Sequence, residues 1–361
     1  MRLDRNVAPL ERSVIHFHEI DPLQDARWAP FVQRHPHSSI FHTPGWLAAL
    51  KQTYGYTPIA FATVAPDGRL ESSIVCCRVR SLLTGRRLIS LPFSDHCEPL
   101  VRTADELHAI LSYLSQRAPV EHWKYVELRA RTADLAMGES MFGGSETFYL
   151  HTLDLRPDIS QIYRAFHKNH VQRMLRRSER AGLTHEQGAS TALLDKFYRL
   201  FVLTRRRHHL PPPPRDWFRN LMSCVGGPLT IHVASKDDQP IASIITLRHK
   251  HTLVYKYGCS DPRFHSLGGV GQLLWKAIEA GKHEGLEEFD LGRSDRDNDG
   301  LVAFKDHWGA MRSLLTYVRY PAPTAPTLTD SYGKQLARHV IPRIPDGILK
   351  LAGALLYRHV G

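Results

Sequence analysis

The chain has 361 residues, 42% of them hydrophobic and 23% charged, with a formal net charge of +11 at pH 7 and 22 histidines besides. That length suits roughly two domains with sizeable cores and excludes a disordered or low-complexity chain. The basic balance favours anionic partners such as phosphate-bearing groups, nucleic acid or an acidic membrane face, without choosing among them.

The first half predicts helices near 22–34 and 44–53, then strands near 58–64, 70–79 and 86–91. A helix near 103–117 and strands near 123–129 and 147–153 follow. The loop SDHCEP, 94–99, lies past the third strand; Asp95, His96 and Glu98 are acid–base groups able to take a proton from an amine. Asp95 is the favoured one, against the plainer reading of a turn that it caps.

Asp158 and Gln161 form a capping box before a helix that Gly182 can end. In that segment Arg173, Arg176, Arg177 and Arg180 recur at one helical face, continued by Arg164 and Lys168. Such a stripe is usually solvated, but its only acid is Glu179, so Arg173 and Arg177 are candidate contacts for an anionic substrate. A long helix over 191–208 ends at Pro211–Pro214, and Arg205–Arg207 with His208 and His209 make a second basic cluster, with Arg206 the candidate contact. A short helix with Trp217, Phe218 and Leu221 precedes strands at 229–235, 241–249 and 252–258. Tyr255, on the last of these, can donate a proton to a leaving group, although packing is the ordinary role of such a tyrosine. A helix at 267–284, a strand at 287–291, a helix carrying Lys305 and a strand at 313–320 complete the order.

The halves repeat one plan at an offset of roughly 165–170 residues, which indicates duplication. The expected fold is α/β (an α+β mixed sheet) in two tandem domains, 13–155 and 156–322, with a linker and tail at 323–361. In the tail, Ile348, Leu349, Leu351, Leu355 and Leu356 alternate with Lys350, Tyr357 and Arg358. The stretch 334–361 is too short to span a bilayer and suits an amphipathic helix lying on a membrane surface or docked on the body. No run of about 18 apolar residues occurs, and the opening MRLDRNVAPLERSVIHF lacks a signal-peptide core. The five cysteines, Cys76, Cys77, Cys97, Cys224 and Cys259, are odd in number and lack zinc-type spacing. Free thiols in a reducing cytoplasm are expected.

The richest stretch is FDLGRSDRDNDGLVAFKDHWGA, 289–310. Its strand breaks at Gly292 and leaves Arg293 and Ser294 past the carboxyl end, where α/β sheets present chemistry. Lys305 lies between Phe304 and the Trp308–Gly309 pair. Partial desolvation there strengthens its hold on anions, unless it snorkels as surface lysines do. Asp295, Asp297, Asp299, Gly300, Val302 and Asp306 match positions of an EF-hand loop, but the last is Asp rather than Glu and a strand enters the loop, so no metal is expected.

The segments IFHTPGWLAALKQTYGY (40–56), ISLPFSDHCEPL (89–100), TRRRHHLPPPPRDWF (204–218) and FDLGRS…FKDHWGA resemble those of Fem-type proteins of the Gcn5-related N-acetyltransferase (GNAT) superfamily. The nearest likeness is to the Fem-related proteins of exopolysaccharide and exosortase gene sets. The resemblance implies two tandem GNAT-like domains and acyl or aminoacyl transfer to an amine, or a hydroxyl, on a cell-envelope or exopolysaccharide precursor. It puts Lys305 at the substrate site, where it stabilises negative charge, with Arg293, Ser294 and Trp308 around it, and turns the Asp95 loop toward the acceptor cleft. Ser266, Gly268, Gly269 and Gly271 echo the GNAT pyrophosphate loop, though its first position is usually Gln or Arg. No tightly bound cofactor is implied; acyl-CoA or aminoacyl-tRNA is the donor co-substrate. The acceptor is anionic, small or lipid-linked, and no DNA is involved. The implied location is the cytoplasm, peripheral on the inner face of the plasma membrane. A non-catalytic basic scaffold for polysaccharide assembly at that face is the alternative.

Overall fold

The computed structural model describes residues 15–81, 84–131, 142–322, 341 and 344–360. The expected linker over 323–340 lies outside them. In chain order the strands are β1 (His18–Ile20), β2 (Thr57–Val64), β3 (Leu70–Ser81), β4 (Gly85–Ile89), β5 (Tyr125–Leu128) and β6 (Gly143–Asp154). The second half supplies β7 (Thr184–Gly188), β8 (Leu229–Lys236), β9 (Gln239–His249), β10 (Thr252–Ser260), β11 (Glu288–Asp295) and β12 (Met311–Tyr320).

These strands form one 12-stranded sheet in the order β1-β2-β3-β4-β5-β12-β6-β11-β10-β9-β8-β7. Only β4–β5 and β10–β11 pair in parallel; every other pair is antiparallel. Each half therefore has a three-stranded meander, a crossover helix and a parallel fourth strand, in keeping with the repeat. The last strands are exchanged: β12 lies beside β5 of the first half, and β6 lies beside β11 of the second. The edge strands β1 and β7 carry few apolar residues, which is why alternation did not reveal them.

The helices are α1 (Trp28–Arg34), α2 (Pro44–Tyr54), α3 (Ala104–Val120), α4 (Ile159–Ala165), α5 (Arg173–Arg180), α6 (Thr191–Arg207), α7 (Arg215–Val225), α8 (Gly269–His283), α9 (Asp299–Asp306) and α10 (Asp346–Val360). One core holds residues of both halves: Trp46 of α2 meets Trp217 of α7 edge to face at 5.3 Å, and both are buried. α2 reaches α7 so closely that a Cβ on Gly45 would lie 2.6 Å from the Cys224 carbonyl oxygen. Only glycine fits there.

The segment expected as one helix over 158–182 is broken. α4 ends at Ala165, a π-helical turn spans Lys168–Gln172, and α5 then begins. Arg164 and Lys168 thus do not continue the arginine face of α5. The capping box is present: the Asp158 N–H donates to the Gln161 side chain at 3.0 Å. In the segment read as an EF-hand, residues 299–306 are helical, with Asn298 accepting the Leu301 N–H, so Gly300 makes no sharp turn of the kind a calcium loop needs.

Candidate active site

The site forms where two parallel strands part. β10 and β11 pair only through Thr252–Val254 and Glu288–Asp290. Beyond this each strand bulges against its antiparallel neighbour, β10 between Tyr255 and Tyr257 and β11 between Asp290 and Arg293. A bulge bends its strand and re-aims side chains. Gly292 does not end β11, as the sequence suggested; at φ 74° it lets the strand bulge and run on to Asp295. A non-glycine residue there would be strained, and its Cβ would lie 3.2 Å from Asp95 Oδ2.

Lys305 occupies the gap. It is 3% exposed, and its Nζ donates to the carbonyls of Gly292 and Arg293, each at 2.8 Å. Burial pulls its pKa down to about 8, reinforced by Lys256 and Arg293 and opposed by Asp95 and Asp290. It is not a snorkelling surface lysine. Arg293 stacks on Phe148 at 4.1 Å and donates to the Tyr317 hydroxyl at 3.0 Å. Ser294 is buried, with no hydrogen-bond partner for its hydroxyl among the described residues.

The first half supplies the opposite wall. Asp95 Oδ2 lies 3.0 Å from Lys256 Nζ, and its carbonyl accepts the Tyr317 hydroxyl at 2.7 Å. Lys256, carried on the β10 bulge, also lies 5.4 Å from the ring centre of Phe41. His96 and Asp290, 4% and 1% exposed, pair at 2.8 Å. Burial alone would raise the Asp290 carboxyl, but the His96 contact, Arg131 and the Gly292 N–H hold it below the usual carboxylate value. The His96 Nδ1 has no partner among the described residues. The pair stands in the wall of a cavity of about 380 Å³ between the halves, also lined by Glu98, Arg131 and His249.

Other expected site residues lie elsewhere. Trp308 is 1% exposed and packs on Phe166 at 5.0 Å, so it is core rather than a substrate contact. Arg206 pairs with Asp346 and donates to the Ile344 carbonyl at 2.8 Å; it tethers the tail. Tyr255 is closed in, with its hydroxyl against Gly258, and burial raises its pKa, which makes it a poor proton donor. The glycines at the start of α8 are covered. A Cβ on Gly271 would lie 1.9 Å from Met174 Cε, and one on Gly268 2.7 Å from Met174 Cγ. As packed, the Met174 side chain over Gly268 and Gly271, and Ala242 and Ile241 against Gly269, stand where a pyrophosphate would lie; Ser266 alone of the loop is exposed. Arg173 and Arg177 are exposed on α5 beside this start. Sequence reading passed over Lys256, Tyr317 and Asp290. The signal for Asp290 was present: a carboxylate between Phe289 and Leu291 in a buried strand needs a buried partner.

The arrangement brings a buried cation at the bulge of parted parallel strands together with a carboxylate–histidine pair, groups whose chemistry suits binding of negative charge and proton transfer. Residues 165–305 match the family model of the acetyltransferase (GNAT) domain. Comparison with curated proteins gives no match. Among solved structures, FemX aligns at a TM-score of 0.64 and 12% identity, covering 83% of this chain and 96% of its own. L-PGS from Bacillus licheniformis aligns at 0.56 and 13% identity, covering 94% and 98%. A tandem GNAT protein from the clavulanic acid biosynthesis pathway aligns at 0.52 and 10% identity, covering 86% and 100%. Residues 165–305 thus match a GNAT domain, and the chain as a whole shares the fold of these solved structures.

Proposed function

We propose that the protein transfers an acyl or aminoacyl group to an amine of a cell-envelope or exopolysaccharide precursor, using both halves, 13–155 and 156–322, to form one site. The observation that carries this reading is the buried Lys305 ammonium at the β11 bulge, facing Asp95 and the His96–Asp290 pair of the cleft. The acceptor nitrogen attacks the donor carbonyl carbon, and the developing oxyanion is met by Lys305 and Arg293. His96, oriented by Asp290, takes the amine proton. The tetrahedral species collapses, the carrier oxygen or sulfur leaves with a proton, and an amide remains. No enzyme nucleophile is required: Cys76, Cys77, Cys97 and Cys259 are buried thiols whose pKa burial raises.

The cover over α8 disfavours acyl-CoA held in the usual GNAT manner. The exposed Arg173, Arg176, Arg177 and Arg180 suit a larger polyanionic carrier, which favours aminoacyl-tRNA. The outward apolar stripe of α10 suits a lipid-linked acceptor at a membrane surface. The test is amide formation from labelled aminoacyl-tRNA, or from acyl-CoA, with an amine-bearing lipid-linked precursor, beside Lys305→Met. Product in the wild type and at least a hundredfold loss in the variant support the reading; equal activity in the variant overturns it.

A further inference from the structure

His167 caps the π-helical turn, His170 lies within it, and His307 follows directly on α9. The rings of His170 and His307 stack at 4.1 Å, and His167 lies 4.6 Å from each. One nitrogen from each ring falls within 4.8 Å of the others. No ring nitrogen of the three has a hydrogen-bond partner among the described residues. The segments are also tied by their backbones, His167 N–H donating to the His307 carbonyl at 2.9 Å.

We propose that these three histidines form a divalent-metal site, with zinc the best-suited ion, that clamps the segment following Lys305 to the π-helical turn.

Ring stacking accounts for part of this convergence, but it leaves the ring nitrogens without partners among the described residues. Neutral imidazole is a good donor for zinc, and three of them with a water complete a tetrahedral set. Three atoms up to 4.8 Å apart share a centre within roughly 2.8 Å of each, so Zn–N bonds of about 2.0–2.1 Å need nitrogen shifts of about 0.7 Å together with rotation of the stacked His170 and His307 rings, whose lone pairs lie in the ring planes. Rings that are exposed or half-buried can make such shifts. The cluster lies outside the described substrate cavity, so the ion would fix the position of Lys305 rather than touch substrate.

The test is calorimetric titration of Zn2+ into the tag-free full chain, beside His170→Ala, His307→Ala and the double variant, with folding of each checked by circular dichroism. One saturable site per chain, micromolar or tighter, is expected, with a raised Tm and at least tenfold weaker binding in each single variant. Titration with Co2+ is expected to give the intense visible bands of a tetrahedral site in the wild type only. The proposal is overturned if no saturable binding occurs, or if the double variant binds as tightly as the wild type. These readouts need no transfer activity, so they stand or fall apart from the proposed reaction.

Discussion

His96 Nε2 and Asp290 Oδ2 lie 2.8 Å apart and join a loop of the first half to a strand of the second. Both are nearly closed to solvent, so each is costly to leave unpaired. The His96 Nδ1 is buried without a partner among the described residues, and in the proposed reaction it is the nitrogen that takes the proton.

Replacing His96 by Asn should lower kcat by roughly 100- to 10,000-fold, the usual worth of a general base, with a smaller change in KM. Asp290→Asn should weaken both catalysis and folding. The Asp290 carboxyl has a depressed pKa in the folded state, so its stabilisation is present above the ordinary carboxylate value and is lost as pH falls through the folded one. Acid unfolding followed by circular dichroism should therefore be shallower in Asp290→Asn. An unchanged acid limb would show that the pair stabilises nothing.

Lys305 gives a prediction with opposite signs in two measurements. Its folded pKa of about 8 lies below the ordinary 10.5. If the ammonium form serves the oxyanion, kcat falls as pH rises through about 8. Between these values the unfolded chain binds the extra proton, so stability rises with pH over the same window. Activity and Tm measured together from pH 7 to 10 should diverge. A parallel decline would mean that alkaline unfolding, rather than Lys305, limits the rate.

Part of this residue cluster was legible in the sequence, and the limits have physical causes. Lys305 and Asp95 stand in short motifs with distinctive neighbours; the structure buries Lys305 at the β11 bulge and pairs Asp95 with Lys256. Trp308 stands in the same motif yet fills the core, since spacing along a helix does not say which side faces substrate. Arg206 looked like part of a free basic cluster because its partner, Asp346, lies far along the chain. The glycines of 268–271 matched a phosphate loop, but the Met174 that covers Gly268 and Gly271 comes from a helix whose packing no local pattern reports. The strand exchange is likewise a long-range pairing, invisible to alternation and turn signals.

The Met174 cover predicts donor choice. Acetyl-CoA should show no saturable binding to the wild type by calorimetry at millimolar ligand. Uncharged or charged tRNA should bind with a steep salt dependence, and Arg173→Glu with Arg177→Glu should weaken it at least tenfold and flatten the slope. Micromolar CoA binding, unaffected by these charge reversals, would point back to a thioester donor.

The C-terminal helix does two things at once. On its inner side Leu349 is 1% exposed, Tyr56 donates to the Tyr357 carbonyl at 2.7 Å, and Arg87 donates to the His359 carbonyl at 2.7 Å. Its outer side presents Ile348, Leu351, Leu355 and Leu356, between 44% and 62% exposed. Docking on the body therefore leaves the apolar stripe available, and the two readings of the tail are compatible. Changing Ile348, Leu351 and Leu355 together to Gln should move stability by less than about 0.5 kcal/mol, as surface changes usually do. The same change should reduce sedimentation with anionic phospholipid vesicles at least tenfold, because interfacial binding scales with buried apolar area. Tyr357→Ala should do the reverse, lowering Tm by removing the Arg205 and Phe93 contacts while leaving the stripe in place. Equal vesicle binding by the triple Gln variant and the wild type would assign the stripe no part in membrane contact.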